Sequence, residues 1–149
     1  MTESISLRTA EALLREHLAL ITHHHDRWLA LFADDAVVEF PYAASLGRST
    51  RLEGKAAIDG YFRGGPAAFR GLAFRDVRVH VSTDADVVVA EAHGSAHIVT
   101  TGKPYEQDYV MVLTAKGGRI TSYREYWNPL PAIEAFGGMG ALANPGLSS

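Results

Sequence analysis

Residues able to do chemistry gather at a few points in this 149-residue chain. His23-His24-His25 stand together before Asp26, and Glu91, His93 and His97 recur at odd positions further on. Imidazole and carboxylate groups are metal-ligand types. Neighbours in an unbroken run project in different directions, however, and no acidic or histidine partner follows at the spacing of a metal-binding helix motif. The histidine run therefore reads as a solvated turn. Glu91, His93 and His97 share one side of an extended segment and read as a polar sheet face or a subunit interface. Neither a metal nor another cofactor is expected. The glycine pairs Gly64-Gly65 and Gly117-Gly118 lack the following Lys-Ser/Thr or dinucleotide spacing of a phosphate loop. Trp28, Tyr42, Tyr61, Phe62 and Trp127 offer flat apolar surface, for a ring-shaped ligand or for ordinary core.

Composition narrows the classes. An apolar fraction of 47% and a charged fraction of 21% suit one soluble domain spanning residues 1–149. With a net charge of −3 and no Lys/Arg-rich run, neither nucleic acid nor an anionic membrane is an expected partner. No cysteine is present, which excludes disulfides, thiolate catalysis and Cys-based zinc sites. No apolar stretch approaches about 20 residues, and the N-terminus lacks a signal-peptide core. A cytoplasmic protein is the expectation.

The elements that must position these residues follow from periodicity. Leu7, Ala10, Leu13, Leu14, His17, Leu20 and Ile21 make one helical stripe over Leu7 to Thr22, with His17 its polar member. Asp26 is placed to cap a short helix carrying Trp28, Leu31 and Phe32 on one face. That helix falls through Asp34-Asp35 into a β-branched strand, Ala36 to Phe40, which Pro41 ends. After a small-residue loop from Ala43 to Thr50, Leu52-Glu53-Gly54 leads into a third helix burying Ala57, Ile58, Tyr61 and Phe62. Gly64-Gly65-Pro66 breaks it. Four strands joined by tight turns follow: Phe74 to Val81, Val87 to Val99, Tyr105 to Ala115 and Ile120 to Trp127. Residues 129–149 read as an irregular tail with one turn around Ala132 to Phe136. Helices first and strands afterwards argue for α+β, with three N-terminal helices on one face of a curved, mainly antiparallel sheet.

Leu31-Phe32-Ala33-Asp34-Asp35-Ala36-Val37-Val38-Glu39-Phe40-Pro41 resembles the nuclear transport factor 2-like superfamily, the cone-shaped fold of ketosteroid isomerase. Leu52-Glu53-Gly54-Lys55-Ala56-Ala57-Ile58, Gly118-Arg119-Ile120 and Tyr123-Arg124-Glu125-Tyr126-Trp127-Asn128-Pro129 extend that resemblance, most closely to the SnoaL-like polyketide-cyclase branch. Ketosteroid isomerase uses an Asp base and an oxyanion hole of a Tyr and a protonated Asp in an apolar cavity. The resemblance puts the base at Phe40, whose phenyl ring takes no proton, so steroid isomerisation is not expected. It puts the tyrosine role at Glu16 or His17, and His17 lies on the apolar stripe. The protonated-Asp role falls near Val110, with Asp108 on the same strand face. Tyr123, Glu125 and Trp127 are implied to face the cavity, Arg124 and Tyr126 to face away.

The implied site is an apolar pocket with Glu125 or Asp108 as acid or base, and with His17 and Tyr123 donating to a developing oxyanion. Desolvation would raise either carboxyl toward useful values. Each has a plain alternative: a solvated strand end for Asp108, an ion pair with Arg78 or Arg124 for Glu125, a satisfied core histidine for His17. Trp28, Phe40, Tyr42, Tyr61, Val110 and Trp127 are the expected ligand contacts. The family resemblance implies a homodimer paired through the open sheet face. The function expected is cofactor-free isomerisation, cyclisation or dehydration of a hydrophobic metabolite. The alternatives are a non-catalytic binder of a hydrophobic small molecule and a dimerising module with a filled cavity.

Overall fold

The computed structural model describes residues 8–138; Leu7, the expected start of the first helix, and the tail beyond Gly138 lie outside them. Helix α1 runs Ala10–Leu20, opened by Thr9, whose hydroxyl accepts the Ala12 N–H at 3.1 Å. It buries Leu13, Leu14, His17 and Leu18. Helix α2 is a single short piece, His25–Leu29. Asp26 does not cap it: the cap position is His24, with no side-chain bond, and Asp26 sits in the first turn, where Arg63 reaches it at 3.2 Å. Phe32 leaves the helix altogether. It opens strand β1, Phe32–Glu39, because Phe32 pairs with Ile120 and the ladder is worth more than one further helical turn. The register of β1 shifts between Phe32 and Val37, and exposed Asp34 and Asp35 ride on that irregularity.

A 3₁₀ turn, Ala43–Leu46, interrupts the expected loop, and a three-residue strand β2, Arg51–Glu53, pairs antiparallel with β1. So short a strand has no periodicity to betray it. Helix α3, Lys55–Gly64, buries Ile58 and half-buries Tyr61 and Phe62, while Ala57 faces solvent. Strands β3 (Phe69–Val81), β4 (Val87–Ile98), β5 (Pro104–Lys116) and β6 (Arg119–Trp127) complete a six-stranded sheet in the order β2-β1-β6-β5-β4-β3. All neighbours are antiparallel except β1 and β6, which run parallel. Register shifts after Arg70 and Arg75, the second beside Asp76 at φ 55°, bend β3 and help the sheet curve.

Helix α1 packs on β4 and β5, α3 on β1, and a fourth helix, α4, on β5. Helix α4, Pro129–Phe136, replaces the single turn expected in the tail. Asn128 caps it by accepting the Leu130 N–H at 3.0 Å, Pro129 takes the first helical position, and Gly137 closes it at φ 93°. Among the described residues no helix is long and apolar enough to cross a membrane.

Candidate active site

Strand parity decides which side chains face the concave, helix-covered side. On β4 the buried positions are Val88, Ala90, Ala92, Gly94, Ala96 and Ile98, a row of mostly small residues. On β5 they are Tyr105, Gln107, Tyr109, Met111, Leu113 and Ala115. On β6 the odd positions Tyr123, Glu125 and Trp127 turn the same way. Large rings on β5 and β6 beside small residues on β4 leave space between sheet and helices. The result is a cavity of about 160 Å³. Phe40, Tyr61, Phe62, Phe69, Leu72, Phe74, Tyr105, Tyr109, Trp127 and Phe136 form most of its wall, with Arg48 beside Tyr61.

Among the described residues Glu125 is the one carboxylate lining it. Protein packs around the carboxyl, and burial pushes its pKa up to about 7, against the downward pull of hydrogen bonds from Tyr123 and Trp127. The Tyr123 hydroxyl donates to Oε1 at 2.9 Å. Four phenols, those of Tyr61, Tyr105, Tyr109 and Tyr123, are close enough for a charge on Glu125 to raise their own pKa values. The hydroxyls of Tyr105 and Tyr109 lie 2.9 Å apart. Burial raises Tyr105 to about 12 and Tyr109 well above the ordinary phenol range, so both stay protonated.

The end of β6 is held by Gln107. Its amide N–H donates to the Asn128 carbonyl at 2.6 Å, and its carbonyl accepts the Asn128 N–H at 3.1 Å. That bracket turns the chain into α4, whose Ala132 and Phe136 close one side of the cavity. Thr101 adds a tie to the Ala135 carbonyl at 2.6 Å.

The expected site residues separate into three places. Glu125, Phe40, Tyr61 and Trp127 line the cavity, with Phe40 stacked on Tyr61 at 5.2 Å between centroids. His17, Trp28 and Tyr123 form a buried cluster beside Glu125. The Trp28 indole N–H donates to His17 Nδ1 at 2.8 Å, which puts the imidazole proton on Nε2. Burial drops the His17 pKa to about 3, so the ring is neutral. His17 is thus a satisfied core histidine, bonded to an indole. Its ring centroid lies 4.6 Å from that of Tyr123. Tyr123 is 1% exposed and its proton is committed to Glu125, so it positions the carboxyl.

Asp108, Val110 and Tyr42 lie outside the cavity. The Asp108 carboxylate is 91% exposed on the convex face and bonds His93, because Tyr105, Tyr109 and Met111 take the inward parity of β5. Val110 shares that outer face, 41% exposed. Tyr42, 51% exposed, meets Tyr126 edge-on. The pair missed in the sequence, Tyr105 and Tyr109, has a legible signal: the heavier apolar residues of β5 all carry odd numbers.

On the convex face Glu91 binds Arg78 and His80, and His93 sits between Glu106 at 2.6 Å and Asp108 at 2.8 Å. Among the described residues no group of three or more histidine, aspartate or glutamate side chains is arranged to hold a metal.

The chain matches the SnoaL-like domain over residues 11–123 and belongs to that family. It is 44% identical to YesE of Bacillus subtilis over 74% of this chain and 75% of that protein. A PhzA/B-like protein of Pseudomonas aeruginosa is 37% identical over 90% of this chain and 94% of its own. The solved structure of a candidate isomerase from Bacillus subtilis superposes with a TM-score of 0.81 at 41% identity, covering 87% of this chain and 93% of the other. More distant ketosteroid isomerase-like and NTF2-like structures, at 20% and 18% identity, share the fold.

Proposed function

We propose that the protein is a proton-transfer enzyme acting on a hydrophobic carbonyl compound, with Glu125 as its acid and base. The observation that carries this reading is the lone carboxyl in an aromatic cavity with a pKa near neutrality, the range in which one group can both take and return a proton. Glu125 removes a proton from carbon next to the carbonyl, and the electron pair of that bond moves onto the carbonyl oxygen. The hydrogen-bonded pair of Tyr105 and Tyr109 keeps one hydroxyl proton to donate to the oxygen as charge builds there. Protonated Glu125 then returns the proton to another carbon, giving isomerisation, to a hydroxyl that departs as water, giving dehydration, or to the alkoxide left when the enolate carbon bonds to a second carbonyl carbon, giving cyclisation. Tyr123 holds the carboxyl in line. The cyclase- and isomerase-type proteins of this fold support the reaction class. The charged convex face, with both signs interleaved, supports a homodimer paired through it, and a cytoplasmic location suits the same reading.

The test is hydrogen–deuterium exchange at the α-carbon of cyclohex-2-enone, followed by proton NMR. Exchange should rise as pH passes through about 7 and vanish in Glu125→Gln; equal exchange by both proteins overturns the reading. A second reading, a non-catalytic binder, draws on Phe40, which lines the cavity where ketosteroid isomerase carries its base. Ligand uptake without exchange would favour it.

A further inference from the structure

We propose that the cavity selects a ligand of a single ring bearing one acceptor oxygen, and that Gly94 is the residue that sets this size; the inference rests on reading the cavity as a proton-transfer site. The volume is the first argument. About 160 Å³ is close to the roughly 150 Å³ cavity that holds a benzene ring, so a single ring fills it.

The oxygen follows from counting protons. Tyr105 and Tyr109 carry two hydroxyl protons, and the bond between them uses one. Gln107 also hydrogen-bonds the Tyr105 hydroxyl, as a donor, since that bond lowers the phenol's pKa, so it leaves the second proton of the pair for an acceptor in the cavity. A buried donor facing apolar wall is unfavourable unless something in the cavity accepts from it. A carbonyl or enol oxygen on the ligand supplies that acceptor.

Gly94 governs where this donor pair lies. It sits on the inward row of β4, opposite Phe74 and Gln107. A Cβ built there would fall 2.8 Å from Cε2 of Tyr109 and 3.3 Å from Cε1 of Phe74, both cavity-lining rings. The Tyr109 ring therefore occupies the recess that a side chain at position 94 would fill. A methyl group at that point leaves Tyr109 only one direction to move, away from β4 and into the cavity. The missing side chain thus fixes the depth of the site, and the tyrosine hydroxyls fix its polar end.

The experiment is NMR titration of ¹⁵N-labelled protein, read at the Trp127 indole, with cyclohex-2-enone and with 1-tetralone, its counterpart carrying a fused second ring. Wild type should bind the first saturably and not the second. Gly94→Ala should weaken cyclohex-2-enone by about tenfold or more through overpacking. Tyr109→Ala, which removes the ring, should admit 1-tetralone; it decides the matter where Gly94→Ala fails to fold. The proposal is overturned by 1-tetralone binding as tightly as cyclohex-2-enone, by no binding of either, or by unchanged affinity in a folded Gly94→Ala. The Glu125 reading is judged separately, by carbon-13 titration of its carboxyl in the same samples. A midpoint near 7 with the wrong size preference discards the size inference alone. A midpoint in the ordinary carboxylate range discards the acid–base assignment.

Discussion

The two faces of the sheet hold the same kinds of ionisable group under opposite physics. On the concave face His17 is neutral at pH 7 and Glu125 about half protonated, because burial removes the water that stabilises charge. On the convex face His93 has its pKa raised by hydrogen bonds from its ring to Glu106 and Asp108, and Glu106 is lowered in return. There the charges face water, and pairing merely redistributes them. The lesson is that a carboxylate on this sheet becomes an acid–base candidate by its strand parity. Glu125 and Asp108 lie on adjacent strands, yet only Glu125 points inward.

The largest expected effect tests that contrast directly. Glu125→Gln should reduce exchange turnover by roughly 10²- to 10⁴-fold, the usual worth of a positioned acid–base group, while Asp108→Asn leaves it unchanged. A comparable loss in Asp108→Asn would erase the distinction between the faces.

Next in size is the acid limb of stability. The His17 pKa falls from 6.5 unfolded to about 3 folded, so below pH 6.5 the unfolded chain binds a proton that the native state refuses. Stability held above pH 6.5 is lost as pH falls toward 3, by about 4 kcal/mol. Urea titrations should show this, and His17→Leu should remove about one proton from the slope while leaving the Trp28 indole N–H unpaired, at about 1–3 kcal/mol.

Glu125 acts in the other direction. Its pKa rises from 4.5 to about 7 on folding, so the native state keeps a proton that the unfolded chain releases. That stability is complete below pH 4.5 and is lost as pH rises through 7, by roughly 2–3 kcal/mol for a carboxyl facing a cavity. Between pH 4.5 and 6.5 the two slopes oppose one another. Glu125→Gln should therefore be more stable than wild type at pH 8 while inactive, measured by its urea midpoint. Loss of stability at pH 8 would show that the carboxylate is paired after all.

Tyr123→Phe is a finer probe. It removes a hydrogen bond that lowers the Glu125 pKa, so the carbon-13 titration midpoint should move upward; a midpoint that stays put would deny Tyr123 its positioning role. The smallest effect belongs to the convex face. His93→Gln should leave the urea midpoint of the isolated chain unchanged at 1 M salt, where exposed pairs are screened.

Much of this molecule is legible before any coordinates. The stripe from Ala10 to Leu20, the alternation on β4 and the turns at Lys116-Gly117-Gly118 each follow from local pattern, since burial on one face imposes a period. Helix α4 was legible in part: Asn128-Pro129 and Gly137 are its boundary signals, but a helix of eight residues draws its stability from packing. The spacing of Phe32 from Trp28 fits a helix, and its distant strand partner Ile120 overrides that pattern.

Sequence alone therefore determined the family and most of the order of elements, which depend on local period and motif, and the family resemblance implied the inward direction of Glu125 and Trp127. Only the tertiary structure decided that Asp108 faces solvent, that His17 is spoken for by Trp28, and that Tyr105 and Tyr109 meet beside Gly94. Those facts depend on how separate strands and helices register against one another, and cross-strand distance and burial exist only once the chain has folded.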